Sequence, residues 1–86
     1  MQVSVPFPLR SYTGDQARVE ANGSTLAEAI SDLDARYPGF CFRIVDEQDR
    51  IRSHIQIFVN QSRTAGLDAP LSPGDKIQII LAISGG

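Results

Sequence analysis

The sequence predicts an α+β fold, in which a mixed sheet packs one main helix against one of its faces. Two short segments near the start alternate between apolar and polar residues, one later segment is amphipathic with helical spacing, and two segments near the end alternate strongly. A chain with this order cannot be wound as a series of parallel βαβ units, and a single helix covers only one face of a sheet. We therefore expect the other face to be open.

The composition is that of one small domain, residues 1–86. Hydrophobic residues make up 42% of the chain and charged residues 21%, and the formal net charge is −2. A domain of this size buries about 60–65% of the surface of its unfolded chain, which leaves little room for an enclosed substrate pocket. The composition therefore argues against an autonomous enzyme.

The first two alternating segments predict strands at residues 2–6 and 17–21. Val3 and Val5 share one face of the first strand. Between the strands, the Thr-Gly-Asp sequence at residues 13–15 supplies residue types that tolerate positive φ in a tight reversal. We expect the two strands to form an antiparallel hairpin.

The main helix is expected to begin after Thr25, because Thr25 and Glu28 have the spacing of a capping box. Apolar residues then recur at helical spacing: Leu26, Ile30, Leu33 and Tyr37. Pro38 disfavours helical geometry in the residue before it, and Gly39 interrupts the chain again. The helix should therefore end near Tyr37.

The segment after the helix predicts a short turn and a small hairpin through residues 46–49, anchored by Phe40, Phe42, Ile44 and Ile51. Residues 54–60 alternate strongly and predict a strand with three residues turned inward: Ile55, Ile57 and Val59. The same alternation turns Phe58 to the opposite face of the sheet.

Residues 61–75 predict a long connection, rich in glycine and proline, from which Leu67 and Leu71 can tuck under the sheet. The final strand follows, with Ile80 and Ala82 on the face opposite the helix. The residues that face the helix are Ile77, Ile79, Leu81 and Ile83. The whole order fits a ubiquitin-like β-grasp, in which the first and last strands lie side by side and the chain end projects into solvent.

The sequence ends in Ser84, Gly85 and Gly86, directly after the apolar run at residues 77–83. Glycine has no Cβ, so a diglycine backbone can approach the catalytic groups of another protein closely. We therefore predict that residues 84–86 form a reactive tail that threads into a partner's active site, and that the reactive group is the carboxylate of Gly86.

Short motifs follow one another along the chain: Val5-Pro6, Pro8-Leu9-Arg10, Thr13-Gly14, Tyr37-Pro38-Gly39, Asp46-Glu47, Phe58-Val59-Asn60, Leu71, Gly74-Asp75 and Gly85-Gly86. Together they resemble the MoaD/ThiS family of sulfur-carrier proteins over residues 3–86. The resemblance implies a β-grasp fold and a Gly86 carboxylate that a ubiquitin-activating-type enzyme adenylates with ATP and magnesium. The adenylate is then converted to a thiocarboxylate, so the carrier itself binds no cofactor.

The chain departs from the family pattern at two positions. Gln61 stands where many relatives have glycine after the asparagine, and glutamine is less favourable than glycine in a tight turn with positive φ. Leu81 stands where many relatives have proline, which restores a backbone donor to the last strand. Neither departure changes Gly85 or Gly86.

Three functions are compatible with these features of the sequence. A sulfur carrier would deliver sulfur from Gly86 to a biosynthetic enzyme of a cysteine-type or molybdopterin-type pathway, and the resemblance favours the cysteine type. A protein modifier would join the same activated carboxylate to a target lysine. A non-reactive interaction domain would use only its surface. The partners implied are an adenylating enzyme, a sulfur-accepting enzyme and a protease that trims the end or removes adducts.

The open sheet face offers a docking patch for those partners. Phe58, Ile80 and Ala82 are predicted to lie there, on neighbouring strands near the tail. Cys41 is interpreted as a small core residue and His54 as a solvated strand residue, so neither is assigned a catalytic role. The charged run at residues 46–50 is interpreted as a solvated turn.

Several kinds of function are disfavoured. With one cysteine and one histidine, the chain has no plausible zinc or haem constellation. Its basic residues are scattered, so it lacks the basic stripe that nucleic-acid binding needs. It has no apolar stretch long enough to cross a membrane and no secretory signal, and we expect it to be cytoplasmic.

Overall fold

The computed structural model describes residues 1–64 and 66–81. Five strands form one sheet: β1 (Gln2–Ser4), β2 (Arg18–Glu20), β3 (Ile55–Val59), β4 (Ser62–Thr64) and β5 (Lys76–Leu81). The helices are a 3₁₀ helix (Phe7–Thr13), α1 (Leu26–Arg36) and a short α2 (Phe40–Ile44). None of the helices within the described residues is long and apolar enough to cross a membrane.

The sheet is mixed, with the strand order β2-β1-β5-β3-β4. The first and last strands are parallel neighbours, with Val3 opposite Ile77, while the remaining pairs are antiparallel. The predicted adjacency of the first and last strands is therefore confirmed, and β5 occupies the centre of the sheet. This is the topology of the ubiquitin-like β-grasp.

The connection between β1 and β2 is longer than the predicted tight reversal. The two strands pair antiparallel as expected, and Gly14 and Asp15 both have positive φ, at 61° and 65°. The preceding 3₁₀ helix was not predicted from the sequence. It buries Leu9 and Thr13, and the Thr13 hydroxyl lies 2.9 Å from the backbone oxygen of Gln16, to which it donates.

The start and end of α1 are confirmed. The Thr25 side chain accepts a hydrogen bond from the Glu28 backbone N–H at 3.3 Å. The Glu28 carboxylate in turn accepts from the Ser24 backbone N–H at 2.9 Å. This pattern satisfies two donors at the start of the chain's main helix, as a capping box does. The helix ends at Arg36 and is capped by Tyr37, whose backbone N–H donates to the backbone oxygen of Leu33.

The segment after α1 differs from the prediction. Instead of a short turn it forms α2, which places Phe40 and Ile44, one helical turn apart, in the core. The same helix leaves Phe42 59% exposed, so the expectation that Phe42 anchors this segment was wrong. The predicted small hairpin is present as a single antiparallel bridge between Val45 and Ile51.

The connection at residues 61–75 contains a strand that was not predicted, β4, which pairs with β3. Asn60 and Gln61 form the two-residue turn between these strands and have φ values of 51° and 74°. Positive φ at both central residues is the type I′ geometry of tight hairpins. The turn therefore forms although glutamine occupies the second position.

The core lies between α1 and one face of the sheet. It includes Leu26, Ile30 and Leu33 from the helix and Val3, Ile55, Ile57, Ile77 and Ile79 from the strands. Leu71 is buried against this core and Leu67 packs at its margin, as expected for the connection at residues 61–75. Val59 and Leu81 also pack at the margin, as the alternation of their strands predicted. None of the helices at residues 1–64 and 66–81 supplies the same cover to the opposite face, where Phe58 and Ile80 are half-buried.

Candidate functional site

The predicted reactive tail, Ser84, Gly85 and Gly86, falls outside the described residues. So do the two residues before it, Ala82 of the predicted docking patch and Ile83 of the predicted final strand. The structure describes the strand from which the tail departs. Leu81 is opposite Ile55 of β3, and Ile80 is opposite Gln56. The tail therefore leaves from the central strand of the sheet, next to the beginning of β3.

The two described residues of the predicted docking patch lie on the open face of the sheet. Phe58 is opposite Gln78, and Ile80 is opposite Gln56, so Phe58 and Ile80 are diagonal neighbours on adjacent strands. Both side chains are half-buried. The structure thus brings Phe58 and Ile80 together, and their role in docking stays a prediction.

The large apolar side chains that are most exposed lie elsewhere. Phe7 in the 3₁₀ helix is 78% exposed, and Phe42 in α2 is 59% exposed. An arginine accompanies each ring, with Arg10 Cζ 5.7 Å from the Phe7 ring centre and Arg52 Cζ 4.6 Å from that of Phe42. No surface role was predicted for either ring, because their exposure depends on the 3₁₀ helix and α2, which the sequence pattern does not predict.

Cys41 has the environment of a structural thiol. It is half-buried, and its burial, followed by the nearby carboxylates of Asp34 and Asp49, raises the pKa of the thiol. A raised pKa reduces the thiolate fraction, and the thiolate is the nucleophilic form. The structure therefore supplies no activation of Cys41.

The other polar residues singled out in the sequence are solvated. His54 is exposed. The Asp46 carboxylate accepts hydrogen bonds from the backbone amides of Arg50 and Gln48, and these bonds lower the pKa of Asp46. The Asp46 carboxylate therefore stabilises the turn at residues 46–50 in which it lies. Among residues 1–64 and 66–81, no three His, Cys, Asp or Glu side chains are grouped so that they could hold a metal ion.

A polar clasp fixes the start of β5. The Asn60 side chain donates to the Asp75 carboxylate at 2.8 Å and accepts from the Lys76 backbone N–H at 2.9 Å. The second oxygen of Asp75 accepts from the Ser72 backbone N–H at 2.8 Å. We refer to Asn60 and Asp75 as the Asn60–Asp75 clasp. It ties the β3–β4 turn to the first residue of the strand that carries the tail.

Comparison with known sequences gives a consistent result. The ThiS family model matches residues 3–86. The sulfur carrier protein CysO of Mycobacterium tuberculosis is 38% identical over 89 residues, which cover 98% of this chain and 96% of that protein. CysO of Mycobacterium bovis has the same identity and coverage.

Comparison with solved structures agrees. The crystal structure of the Amycolatopsis orientalis BexX/CysO complex contains a chain that matches with a TM-score of 0.91 and 36% identity, covering 99% of this chain and 98% of that one. Mycobacterium tuberculosis CysO matches with a TM-score of 0.90 and 36% identity, over 95% and 98% of the two chains. The small archaeal modifier protein 1 of Methanosarcina acetivorans has a TM-score of 0.81 at 23% identity, over 99% and 94%, which shows a shared fold alone.

Proposed function

Because the chain belongs to the ThiS family, we propose that it is a sulfur carrier, a protein cosubstrate on which partner enzymes act. The observation that carries this proposal is the nearly full-length similarity to CysO, whose name describes a sulfur carrier protein. The β-grasp suits this role, since its central strand leads directly into the residues that precede Gly86.

The chemistry requires activation of the Gly86 carboxylate, which is a poor electrophile because its charge is delocalised and its leaving group would be oxide. A carboxylate oxygen attacks the α-phosphorus of ATP on the partner enzyme, where magnesium neutralises phosphate charge, and pyrophosphate leaves. A sulfide-level nucleophile then attacks the acyl carbon, and the bond from that carbon to the AMP oxygen breaks. The product is a thiocarboxylate on Gly86.

In this proposal the enzyme that accepts the sulfur belongs to a cysteine-type pathway. The similarity to CysO supports that branch, and a molybdopterin-type acceptor is the alternative. The Amycolatopsis orientalis BexX/CysO complex shows that a CysO protein binds another protein, which supports a partner enzyme for this chain as well. We place the reaction in the cytoplasm, together with the adenylating enzyme, the sulfur acceptor and a trimming protease.

The test is the intact mass of the full chain after incubation with the adenylating enzyme, ATP, magnesium and sulfide. We expect a gain equal to one sulfur-for-oxygen exchange. Cys41→Ala should show the same gain, because the thiol is a bystander. A persulfide on Cys41 that mild reductant removes would contradict the proposal, and an isopeptide conjugate to lysine would instead assign the protein-modifier function.

Deletion of Gly85 and Gly86 tests the same proposal by removing the reactive end of the chain. The truncated protein should fold normally, since the deleted residues follow the hydrogen-bonded strand pairs, and it should support no ATP–pyrophosphate exchange. Gly86→Ala is a milder variant that should fold normally and react slowly, because its methyl group crowds a channel shaped for bare backbone. Exchange by the truncated protein at the wild-type rate would rule out the carboxylate assignment.

A further inference from the structure

A polar cleft of about 430 Å³ lies at the β3–β4 edge of the sheet. Its polar lining consists of Arg52, Ser53, Gln56, Arg63 and Thr64, and no aspartate or glutamate is among the described residues that line it. We refer to it as the Arg52–Arg63 cleft. Two arginines without a neighbouring carboxylate in the lining give this cleft the electrostatic character of an anion-binding site.

The Arg52 side chain is held in place by two contacts with one residue. Its Nε donates to the backbone oxygen of Phe42 at 2.8 Å, and its guanidinium carbon lies 4.6 Å from the centre of the Phe42 ring. An arginine fixed in this way loses little further side-chain entropy when it binds a carboxylate. Its terminal nitrogens are in no ion pair with any described residue.

Arg63 approaches the cleft from the edge strand. It lies on β4 opposite Phe58, is exposed, and forms no ion pair within residues 1–64 and 66–81. It therefore adjoins both the Arg52–Arg63 cleft and the open face that carries Phe58. The acidic residue nearest in sequence to Arg52, Asp49, forms no ion pair with it among the described residues. Asp46, whose pKa the Arg52 charge helps to lower, has its carboxylate bonded to the backbone amides of its own turn.

The cleft lies at the end of the sheet from which the tail departs. Ile55 and Gln56 line it, and these residues are opposite Leu81 and Ile80 of β5. Five residues follow Leu81 in the sequence, and an extended segment of that length spans at most about 16–18 Å. A partner that holds the extended tail at Gly86 must therefore extend its surface over this part of the carrier.

We propose that the Arg52–Arg63 cleft binds an acidic segment on the surface of the adenylating enzyme. An aspartate or glutamate of that segment pairs with Arg52 and Arg63, and an apolar residue beside it packs on the exposed Phe42 ring. A carboxylate fits better than the phosphate of the adenylate, because an extended tail carries the reacting group well beyond the cleft. This inference rests on the proposed function, since it presupposes an enzyme that takes up the tail.

Charge reversal at the exposed arginine tests the proposal. Arg63→Glu is compared with Arg18→Glu, which makes the same charge change on β2 at the opposite edge of the sheet. The measurement is ATP–pyrophosphate exchange by the adenylating enzyme at increasing concentrations of full-length carrier, in low and moderate salt. Thermal unfolding of each variant establishes that it is folded.

We expect Arg63→Glu to raise the carrier KM at least about tenfold with kcat nearly unchanged, because it removes docking energy that is present in both ground and transition states. Arg18→Glu should change KM by less than about twofold. The wild-type KM should also rise more steeply with salt than that of Arg63→Glu, since screening weakens the same ion pair. Arg52→Gln, which removes charge without reversing it, should raise KM less than Arg63→Glu.

The outcomes separate this inference from the proposed function. If the wild-type carrier supports no exchange and gains no sulfur, the proposed function fails. If the wild type reacts and Arg63→Glu has an unchanged KM, only the acidic docking segment is wrong. Self-association of the wild type in sedimentation, abolished by Arg63→Glu, would assign the cleft to a second copy of the chain and overturn the proposal.

Discussion

Backbone strain is concentrated at Gln61, in the two-residue turn between β3 and β4. Asn60 and Gln61 both have positive φ, at 51° and 74°. Asparagine visits this region comparatively easily because its short side chain bonds locally, and here that side chain is also held by Asp75. The Gln61 side chain makes no such hydrogen bond with the part of the chain that the structure describes, so Gln61 adopts this conformation at a cost in stability.

We predict that Gln61→Gly stabilises the protein. Removing the Cβ relieves the positive-φ penalty, and the gain should be about 0.5–1 kcal/mol after the added entropy of glycine in the unfolded chain is subtracted. In a domain of this size that corresponds to a rise in melting temperature of roughly 2–8 °C. Chemical and thermal unfolding would measure it.

The matched control is Gln48→Gly, the same replacement in the exposed turn after α2. Gln48 is not among the described residues with positive φ. Glycine there should lower stability slightly, because it adds unfolded-state entropy and relieves no strain. Equal effects at positions 48 and 61 would contradict the strain argument.

At the scale of elements, the Asn60–Asp75 clasp joins the β3–β4 turn to the start of β5. The Ser72 backbone amide and, next, the Asn60 side chain lower the pKa of Asp75 by stabilising its charged form. A carboxyl whose pKa is lower in the folded state stabilises the fold above its unfolded pKa, about 3.9 for aspartate. That stabilisation is lost as the pH falls through the folded pKa.

Asp75→Asn should therefore be less stable than the wild type at pH 7. The difference should shrink as the pH falls below about 4, where the carboxyl of the unfolded wild type takes up a proton, and shrink further as the pH passes through the lower folded pKa. Urea unfolding at pH 7 and pH 3 would measure both differences. Glu47→Gln is the control, because it removes one negative charge from an exposed turn position. A deficit of Asp75→Asn that is equal at both pH values would show that the charged clasp does not contribute.

The elements that were missed share a physical explanation. The 3₁₀ helix, α2 and β4 have seven, five and three residues, which is shorter than the roughly 11 or more residues over which helical periodicity is recognised and the roughly four or more over which strand alternation is recognised. Their stability comes from tertiary contacts: Leu9 and Thr13 are buried by the 3₁₀ helix, and Phe40 and Ile44 by α2. Such segments have no local signal strong enough to predict.

At the scale of the whole molecule, α1 covers one face of the sheet and leaves Phe58 and Ile80 on the other. These half-buried residues lie on the two strands nearest the origin of the tail. A partner that binds the tail could therefore bury them at the same time. Their diagonal pairing supports the docking prediction made from the alternation of the strands.

We predict that Phe58→Asp weakens binding to the adenylating enzyme by about 2 kcal/mol or more, roughly a thirtyfold loss in affinity, because it removes an aromatic anchor. Its cost in stability should be about 1 kcal/mol, since the residue is half-buried and aspartate is unfavourable in a strand. Calorimetry and thermal unfolding would measure the two effects separately.

Phe7→Asp provides the matched control, because it makes the same replacement at a ring that is 78% exposed on the 3₁₀ helix. It should leave the affinity nearly unchanged. If Phe58→Asp also left the affinity unchanged, Phe58 would be neutral surface. A loss of several kcal/mol in stability would instead make it a core residue.

The sequence by itself determined the parts of this protein whose signals are local. The helix from Leu26 to Arg36 follows from its capping residues and periodicity, and the long strands β3 and β5 follow from alternation. The adjacency of the first and last strands, β1 and β5, follows from the β-grasp that the element order fits, whereas their parallel direction is seen in the structure. The diglycine motif and the family resemblance likewise need only the order of residues.

Only the tertiary structure decided which distant residues meet. Arg52 follows a bridge after α2 and Arg63 lies on β4, and no periodicity relates them. The fold brings them to one cleft by pairing β4 with β3, and it fixes Arg52 through a helix that exposes Phe42. Contacts of this kind depend on how the whole chain packs. The entropy lost when distant segments are joined is offset by burial of the shared core. That balance is a property of the whole chain, so a short stretch of sequence does not predict it.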